Sequence, residues 1–368
     1  MTDPTLEVYA RTARQWEERR PPDLGDAAAF ADRIGPGHHP LLDLGCGPGW
    51  HLPTLVGPDV DPHVAPIALD ATAAFLERVT EHEPSAQRVR ADLTRPPFRA
   101  GSIGSVWANK SIVHLPRSAA PIALARLHRA TRADAPAFFG LFEGDEEWRA
   151  HDGDEFAGRR FSRWPEPLLR AVLESTGWRV DHIETRRRDG EWGFLAVNCT
   201  RVDTLPATLG ADLDVLCVGI NPSPTSAQTG VGFAHPGNRF WPAALRSGLL
   251  SVDRDVEHAL LVDRVGMTDL TKRVTRTAAE LSRSELRAGF ERLALVVSWL
   301  APKVICVIGL TTWRFVADRH AVAGLQPELL EGRPVYLMPN PSGLNAHATV
   351  ESLAEHFAEV RRLATSRA

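Results

Sequence analysis

Residues 215–222 read Val-Leu-Cys-Val-Gly-Ile-Asn-Pro, an apolar run that stops abruptly at Asn221-Pro222. A short apolar run bounded by turn residues predicts a buried strand of a parallel sheet. A strand that ends in Asn-Pro carries the asparagine side chain to the carboxyl edge of the sheet, where open α/β folds bind their ligands. The same pattern is also typical of an ordinary turn, so the surrounding sequence has to decide between the two.

Similar apolar runs recur on both sides of this segment, and stretches with helical periodicity separate them. Towards the N-terminus the runs begin at Leu41, and the last two predict an antiparallel hairpin joined at Asp189-Gly190. After residue 222 the runs VICVIG and VYLMP alternate with helical stretches, the longest from about Ser284 to Leu300. Strands that alternate with helices predict mostly parallel sheets covered by helices, so we expect an α/β protein.

The length of the chain predicts two domains. A chain of 368 residues exceeds what one hydrophobic core ordinarily supports. Residues 201–212 lack clear periodicity and contain Pro206 and Gly210, which favours a linker there. We therefore predict a first domain over residues 1–200 and a second over residues 213–368.

Composition excludes several classes of protein. The four cysteines are far apart, which predicts neither a disulfide framework nor a metal or iron–sulfur site. The first thirty residues carry charges where a signal peptide needs an apolar stretch, so we expect a cytoplasmic protein with no membrane partner. Residues 201–368 carry 18 Lys and Arg against 17 Asp and Glu, so any nucleic-acid contact has to come from a local patch.

Three motifs of the second half carry a resemblance to a known family. They are GINPS (219–223), GFAHPGNRFW (232–241) and NPSGLN (340–345). They look like the corresponding motifs of the mismatch-specific uracil-DNA and thymine-DNA glycosylases, in the family's order and spacing, over about residues 213–362. The resemblance implies a uracil-DNA-glycosylase-like α/β/α sandwich that removes bases from DNA without a cofactor.

The resemblance also implies residue roles. Asn221 would orient the hydrolytic water, and Phe233 would stack on the flipped base. Ser223 stands where the family often has glycine, and the acidic Asp269 also departs from some members. The other candidate base-binding residues are Gly219, Ile220, Ser223 and Asn238. The candidate DNA-binding residues are Asn340, Pro341, Ser342, Gly343, Leu344 and Asn345, together with Lys272 and Arg273, which are equally typical of a solvated basic face.

The chemistry of base excision agrees with these roles. A base inside a duplex is out of reach, so the nucleotide has to be extruded, which costs least at a mismatch. The amide of Asn221 does not take up a proton in this pH range, but its carbonyl oxygen accepts a hydrogen bond from water. We expect slow, hydrolytic excision of uracil, thymine or a related damaged pyrimidine from mismatches with guanine in double-stranded DNA.

The first half contains its own strand and glycine-rich turn, LLDLGCGPGW (41–50). Its G-x-G-x-G spacing lacks the third glycine of the dinucleotide fingerprint. Together with Asp70 and the later Ala91-Asp92-Leu93, it resembles class I S-adenosylmethionine-dependent methyltransferases, with an NAD-type or degenerate nucleotide fold as the alternative. The resemblance implies a Rossmann-like sheet that binds S-adenosylmethionine through Asp43, Gly45, Gly47, Gly49, Asp70 and Asp92.

The methyl acceptor stays open. Residues 107–111, Trp-Ala-Asn-Lys-Ser, differ from the Asn/Asp-Pro-Pro-aromatic tetrad of DNA amino-methylating enzymes, and no Pro-Cys nucleophile for cytosine chemistry is present. His114 is a candidate base and Tyr9 a candidate lid residue. Two alternatives stand beside the repair enzyme: a lesion-binding module that does not cut, and a methyltransferase whose primary role is unrelated to repair.

Overall fold

Two compact units make up the chain, residues 1–169 with 178–202 and residues 170–177 with 203–368. The computed structural model describes residues 3–57, 64–151 and 153–366. Each unit is built around its own mixed sheet, as the alternating pattern predicts. No helix in the described ranges is long and apolar enough to cross a membrane.

The first half of the chain forms ten strands and six helices within the described ranges. The strands are β1 (Leu41–Leu44), β2 (Ile67–Asp70), β3 (Gln87–Arg90), β4 (Ser105–Asn109), β5 (Pro136–Glu143), β6 (Arg149–Ala150), β7 (Arg160–Phe161), β8 (Arg163–Trp164), β9 (Trp178–Arg186) and β10 (Phe194–Arg201). The helices are α1 (Pro4–Arg19), α2 (Gly25–Ala31), α3 (Leu52–Val56), α4 (Ala73–His82), α5 (Ala120–Ala130) and α6 (Glu166–Ser175).

The first sheet has the strand order β3-β2-β1-β4-β5-β10-β9, with β8 beside β5. Strands β1 to β5 are parallel, and β10 runs antiparallel to both β5 and β9. The order reverses direction between β1 and β4. This is the switch point at which a doubly wound sheet opens a crevice for a ligand.

The second unit is also built around a mostly parallel sheet, with five strands. Its strands are β11 (Val215–Gly219), β12 (Val265–Asp269), β13 (Val304–Ile308), β14 (Gly324–Leu330) and β15 (Arg333–Met338). Its helices are α7 (Pro224–Thr229), α8 (Phe240–Arg246), α9 (Val256–Leu261), α10 (Arg283–Leu300), α11 (Leu310–Val316) and α12 (Val350–Thr365). The order is β12-β11-β13-β15-β14, parallel except for β14 at the edge.

Local signals explain where the main helices of the second unit begin and what they bury. The Ser282 hydroxyl accepts from the Glu285 N–H and the Glu285 carboxylate from the Ser282 N–H, a reciprocal cap that starts α10. Phe240 and Trp241 on α8 and Phe357 on α12 are fully buried in one core with the apolar faces of the strands. Phe240 and Trp241 are therefore core aromatics.

Residues 201–212 differ from the linker predicted there. Leu205, Ala207 and Leu209 are buried. The backbone of Thr208 exchanges two hydrogen bonds with Met267 in β12. The segment from Asp203 onward thus belongs to the second unit and does not form a separate linker.

Candidate functional site

The carboxyl ends of the parallel strands gather the candidate residues of the second unit. Gly309 follows β13, with Asn221 beyond β11 on one side and Asn340 beyond β15 on the other. A Cβ placed on Gly309 would lie 3.7 Å from Ile220 Cδ1 and 3.9 Å from Asn340 Cβ. The two corners predicted from the sequence therefore flank the end of one central strand.

The Asn221 amide is held in one orientation. Its Nδ2 donates to the carbonyl oxygens of Pro222 (3.0 Å) and Arg273 (3.2 Å) and to the Thr275 hydroxyl (2.8 Å). A carbonyl oxygen only accepts, so the nitrogen has to face these groups and Oδ1 has to face away. Asn221 thus presents a fixed hydrogen-bond acceptor at the strand end.

The segment after β12 braces this corner. Backbone N–H groups of Leu270, Thr271 and Thr275 donate to the carbonyls of Gly219 (2.9 Å), Ile220 (2.9 Å) and Pro222 (3.2 Å). The ladder between β11 and β12 therefore continues past the strand ends. Thr275, which no motif indicated, also donates its hydroxyl to the Thr277 carbonyl, which orients its oxygen towards Asn221.

Phe233 lies beside the same corner in a left-handed backbone conformation, with φ +56°. Such a conformation is uncommon for an aromatic residue and persists only where surrounding contacts impose it. Phe240 stacks on the Phe233 ring with centroids 4.3 Å apart and planes 14° apart. One face of Phe233 is thereby supported by the core, and the partly exposed ring forms a flat platform.

Asp269 ends β12 against this platform. A Cβ on Gly219 would meet Asp269 Oδ1 at 2.5 Å and the tip of the Phe233 ring at 3.4 Å, so a larger residue there would displace the Asp269 carboxyl. Burial raises the pKa of the Asp269 carboxyl above its usual value, although Lys272 and Arg292 oppose the shift. The site therefore contains a carboxyl group whose titration is shifted by burial.

Ser223 is the N-cap residue of helix α7. Its hydroxyl accepts from the Ser226 N–H (3.2 Å) and caps α7. The N–H groups of Ser223 and Thr225 have no acceptor among the described residues. Two backbone donors next to Asn221 are thus available to a ligand.

The loop 340–345 is closed by its own polar groups. Asn340 Oδ1 accepts from the Ser342 N–H (3.0 Å), and Asn345 Nδ2 donates to the Asn340 carbonyl (3.0 Å). A Cβ on Gly343 would lie 2.7 Å from the Gly237 carbonyl oxygen. Leu344 is 97% exposed at the tip of this loop, an apolar side chain presented to solvent.

Arg239 ties this loop to the GNRFW motif. Its backbone N–H donates to the Pro341 carbonyl (2.9 Å). Its guanidinium donates to the carbonyls of Ser342 (3.3 Å) and Asn345 (3.0 Å). Arg239 is therefore a positioning residue for the loop.

Three of the residues proposed for ligand contact have other partners. Lys272 Nζ donates to the Leu205 carbonyl (3.0 Å), and burial lowers its pKa to about 8. The Arg273 guanidinium pairs with the Glu285 carboxylate at 2.5 Å. Asn238 Oδ1 accepts from the Phe240 N–H at the start of α8. The structure therefore commits Lys272 to the interior of the protein, which corrects its prediction as a phosphate-binding residue, while a phosphate contact of the exposed Arg273 stays a prediction that competes with Glu285.

The first unit contains a cavity of about 720 Å³ at the carboxyl edge of its sheet. Asp43 lines it with a buried carboxylate whose Oδ2 has no hydrogen-bond partner among the described residues. Burial, with the nearby Asp70, raises the pKa of Asp43 well above its usual value. A buried carboxylate left unpaired is costly, so this oxygen is suited to a donor from a bound ligand.

Asp70 and the glycine-rich turn shape the same cavity. Asp70 accepts from the N–H groups of Gly47 (3.0 Å) and Thr72 (2.8 Å). Asp92 also lines the cavity and accepts from the Thr94 N–H and hydroxyl, both at 2.8 Å. Gly45, with φ +74°, passes so close to Ser111 that a Cβ would overlap it.

Gly49 departs from the predicted role. It is not among the residues that line the cavity. A Cβ there would lie 3.3 Å from the side chains of Leu52 and Val79. Gly49 therefore allows helix α4 to approach the turn and is assigned to packing.

Tyr9 and His114 lie together in the cavity wall. The Tyr9 hydroxyl is 2.8 Å from His114 Nε2 and accepts from Arg159 (3.0 Å), while His114 Nδ1 is 2.8 Å from the Arg160 carbonyl. The carbonyl only accepts, so Nδ1 carries the proton and Nε2 receives the Tyr9 hydrogen. Burial lowers the pKa of His114 to about 4, so the ring is neutral at physiological pH.

Neither unit shows a metal centre within the described ranges, where no group of three or more His, Cys, Asp or Glu could hold an ion. All four cysteines are free and buried. The two sites are thus built from amides, backbone donors, carboxylates and aromatic rings.

The fold and the strand-end sites define two α/β units of ligand-binding type. Residues 206–363 match the model of the uracil DNA glycosylase superfamily, and residues 41–134 match that of a methyltransferase domain. The chain thus contains a domain of each kind.

Solved structures similar to the chain include two methyltransferases. One is the 1,6-didemethyltoxoflavin-N1-methyltransferase of Burkholderia thailandensis, at 16% identity over 54% of this chain and 85% of that one, with a TM-score of 0.41. The other is a SAM-dependent methyltransferase of Aquifex aeolicus, at 18% identity over 55% of this chain and 100% of that one, with a TM-score of 0.37.

Proposed function

We propose that the second unit is a DNA glycosylase that flips uracil, or a related pyrimidine mispaired with guanine, out of double-stranded DNA and hydrolyses its glycosidic bond. The observation that carries this proposal is the fixed amide of Asn221. Two carbonyls and a hydroxyl hold its nitrogen, so its oxygen is left to accept a hydrogen bond from water. The match to the uracil DNA glycosylase superfamily supports the same reading.

The base is received between Phe233 and the strand end. Phe240 supports one face of the Phe233 ring, which leaves the other face for a flat pyrimidine. The N–H groups of Ser223 and Thr225 supply donors for the uracil oxygens. Donors aimed where negative charge develops stabilise the leaving base without reorganisation.

Hydrolysis proceeds through an oxocarbenium-like sugar. The bond between C1′ and the base nitrogen breaks, its electron pair leaves with uracil, and the water oxygen held by Asn221 bonds to C1′. The water gives up a proton to solvent, and the uracil anion takes one from solvent. Asn221 holds the water and does not remove its proton, so the rate depends on positioning and on a good leaving group.

The loop 340–345 occupies the space left by the flipped nucleotide. Leu344 is an exposed apolar side chain on a loop that its own hydrogen bonds and Arg239 keep in shape. Inserted apolar side chains of this kind separate base steps in other DNA-distorting proteins. The contact needs a duplex, because a single strand has no vacated stack to fill.

The test is excision from a labelled duplex with one G:U pair, read as alkali-labile breaks. Wild-type protein should produce them, and Asn221→Ala should reduce the single-turnover rate by about 100-fold or more, in line with the loss of other positioned polar groups. Gln228→Ala removes an exposed amide from α7 and serves as the matched control. If wild type produces no breaks, or Asn221→Ala produces as many as wild type, the assignment of Asn221 as the residue that holds the water is refuted. If wild type binds the G:U duplex without producing breaks, the result supports the non-cleaving alternative. Parallel duplexes with G:T and A:U pairs define base preference.

We further propose that the first unit is a methyltransferase that binds S-adenosylmethionine in the 720 Å³ cavity. The unpaired Asp43 oxygen fits the ammonium of the methionine part, the carboxylates of Asp70 and Asp92 fit ribose hydroxyls and the adenine region, and Gly45 and Gly47 let the backbone approach. The bound cofactor would supply an electrophilic methyl group. Calorimetric titration with S-adenosylhomocysteine tests whether the cavity binds the cofactor. Transfer of tritium from labelled S-adenosylmethionine to DNA, RNA or extract fractions identifies the methyl acceptor. The absence of both binding and transfer would overturn the proposal.

A further inference from the structure

A second cavity of the second unit gathers arginines rather than catalytic groups. It has a volume of about 410 Å³ and lies between helices α10 and α11, which contact each other through Phe290 and Trp313. Four of its lining residues are Arg283, Arg287, Arg314 and Arg319. Phe315 adds an aromatic ring that is 53% exposed. We call this set the arginine cavity.

These four arginines have no carboxylate partner within ion-pair distance among the described residues. Arg314 uses Nε to reach the Ala321 carbonyl (2.8 Å), and Arg319 uses Nε to reach His320 (2.7 Å). Their terminal guanidinium nitrogens thus have no partner within the part of the chain that the structure describes. By contrast, Arg246, Arg264, Arg273 and Arg362 of the same unit are all ion-paired.

Like charges in one concave site repel one another, and an anion relieves the repulsion. Arg283 and Arg287 are one turn apart on α10, a spacing that costs helix stability when both residues carry the same charge. The second unit as a whole is nearly neutral, so the charge in this cavity is a local concentration. The guanidinium of Arg283 lies over the Phe315 ring, 5.5 Å from its centre, so it covers one face of the ring and leaves the other for a base.

From this arrangement we infer that the arginine cavity binds a nucleic-acid strand, with phosphates on the arginines and an unpaired base against Phe315. Arginine grooves with exposed aromatic rings track the backbone of single strands and stack their bases. A concave site of this composition favours a strand over a membrane surface. The identity of the anion as nucleic acid rests on the proposed glycosylase function.

The position of the two helices supports a strand that continues from the base-excision site. Helix α10 begins next to Glu285, which pairs with Arg273, and the Arg273 carbonyl holds the Asn221 amide. Helix α11 begins after Gly309, which lies between Ile220 and Asn340. Both helices therefore begin beside the excision site and line the arginine cavity, so we expect the cavity to contact a single-stranded continuation of the substrate.

The experiment measures binding of the full chain to a labelled single strand, by fluorescence anisotropy over a range of salt concentrations. The double variant Arg314→Gln/Arg319→Gln should lower the magnitude of the slope of log K against log salt by about 1.4, at about 0.7 for each lost phosphate contact on single strands. Phe315→Ala should weaken binding by about 5- to 150-fold with an unchanged slope. Arg361→Gln, on α12, is the matched control for the loss of a positive charge.

The outcomes separate this inference from the proposed glycosylase. If the double variant shows the same slope of log K against log salt as wild type, the inference is overturned. It is also overturned if the variant loses binding only to phosphatidylserine vesicles and not to the single strand, because the cavity would then bind a membrane surface. Excision from a short duplex should be retained by the arginine variants and lost by Asn221→Ala. If Asn221→Ala cuts normally, the glycosylase proposal fails while the slope still decides the cavity.

Discussion

Replacement of Arg239 should disable the 340–345 loop while leaving the Asn221 amide in place. In Arg239→Gln the backbone N–H still reaches the Pro341 carbonyl, but the two guanidinium bonds to Ser342 and Asn345 are lost. A hydrogen bond from a charged group contributes about 1.5–3 kcal/mol. Because Arg239 is partly exposed, we take the lower value for each, about 3 kcal/mol in total.

That energy sets the size of the expected defect. If the loop has to be ordered in the complex with duplex DNA, about 3 kcal/mol corresponds to about a 100-fold loss of excision from a G:U duplex, at 1.4 kcal/mol for each factor of ten. Excision from a single strand has no vacated stack to fill and should fall little. The ratio of the two single-turnover rates is therefore the measurement.

Leu344→Ala provides the matched test, since it removes the exposed tip of the same loop. Both variants should show the same selective loss on duplex, and their effects should be less than additive because both act through one loop. Equal losses on duplex and single strand, or fully additive losses, would refute the assignment of Arg239 to loop positioning.

Three further outcomes follow from charges at the two sites. Asn221→Asp places a carboxylate oxygen against the carbonyl oxygens of Pro222 and Arg273, and this repulsion raises the pKa of the new carboxyl. The rate of excision at pH 7 should fall by about 10-fold or more, which a pH–rate profile measures. A variant that is faster than wild type at pH 7 would contradict this prediction. Asp43→Asn removes one charged partner of the ligand, so binding of S-adenosylhomocysteine, measured by calorimetry, should weaken by about 10- to 150-fold while the fold is retained. An unchanged affinity would exclude Asp43 from the site. The pKa of Lys272 is lowered to about 8 in the folded state, so between about pH 8 and 10.5 the unfolded chain still holds a proton that the folded protein has lost. The free energy of unfolding of wild type, measured against that of Lys272→Met, should therefore increase as the pH rises through this range. A constant difference between the two unfolding midpoints would show that Lys272 titrates normally.

The sequence was informative where pattern and geometry coincide. Apolar runs predicted strands β11, β13 and β15, and turn residues at their ends predicted the corners at Asn221 and Asn340. Strand β12 was missed because it ends in Thr-Asp, two polar residues that are buried at the end of the strand. The amphipathic edge strand β14, with mostly exposed residues, gave an equally weak signal.

Roles that depend on a partner distant in sequence could not be predicted. Lys272 and Arg273 form a basic pair in the sequence, yet one turns into the protein towards Leu205 and the other pairs with Glu285. A charge count cannot distinguish these cases from free cations. Thr275, which acts 54 residues away on Asn221, left no local signature at all.

The charge state around Phe233 links burial to the proposed chemistry. A uracil that leaves as an anion would be repelled by an ionised carboxylate nearby, by about 3 kcal/mol at a separation of about 5 Å and an effective dielectric constant of about 20. Burial shifts the pKa of Asp269 upward, towards its neutral form, whereas Lys272, with a pKa lowered to about 8, still carries its proton at neutral pH. The same burial that places Asp269 against Gly219 therefore favours its neutral form, which repels the departing base less than the ionised form does.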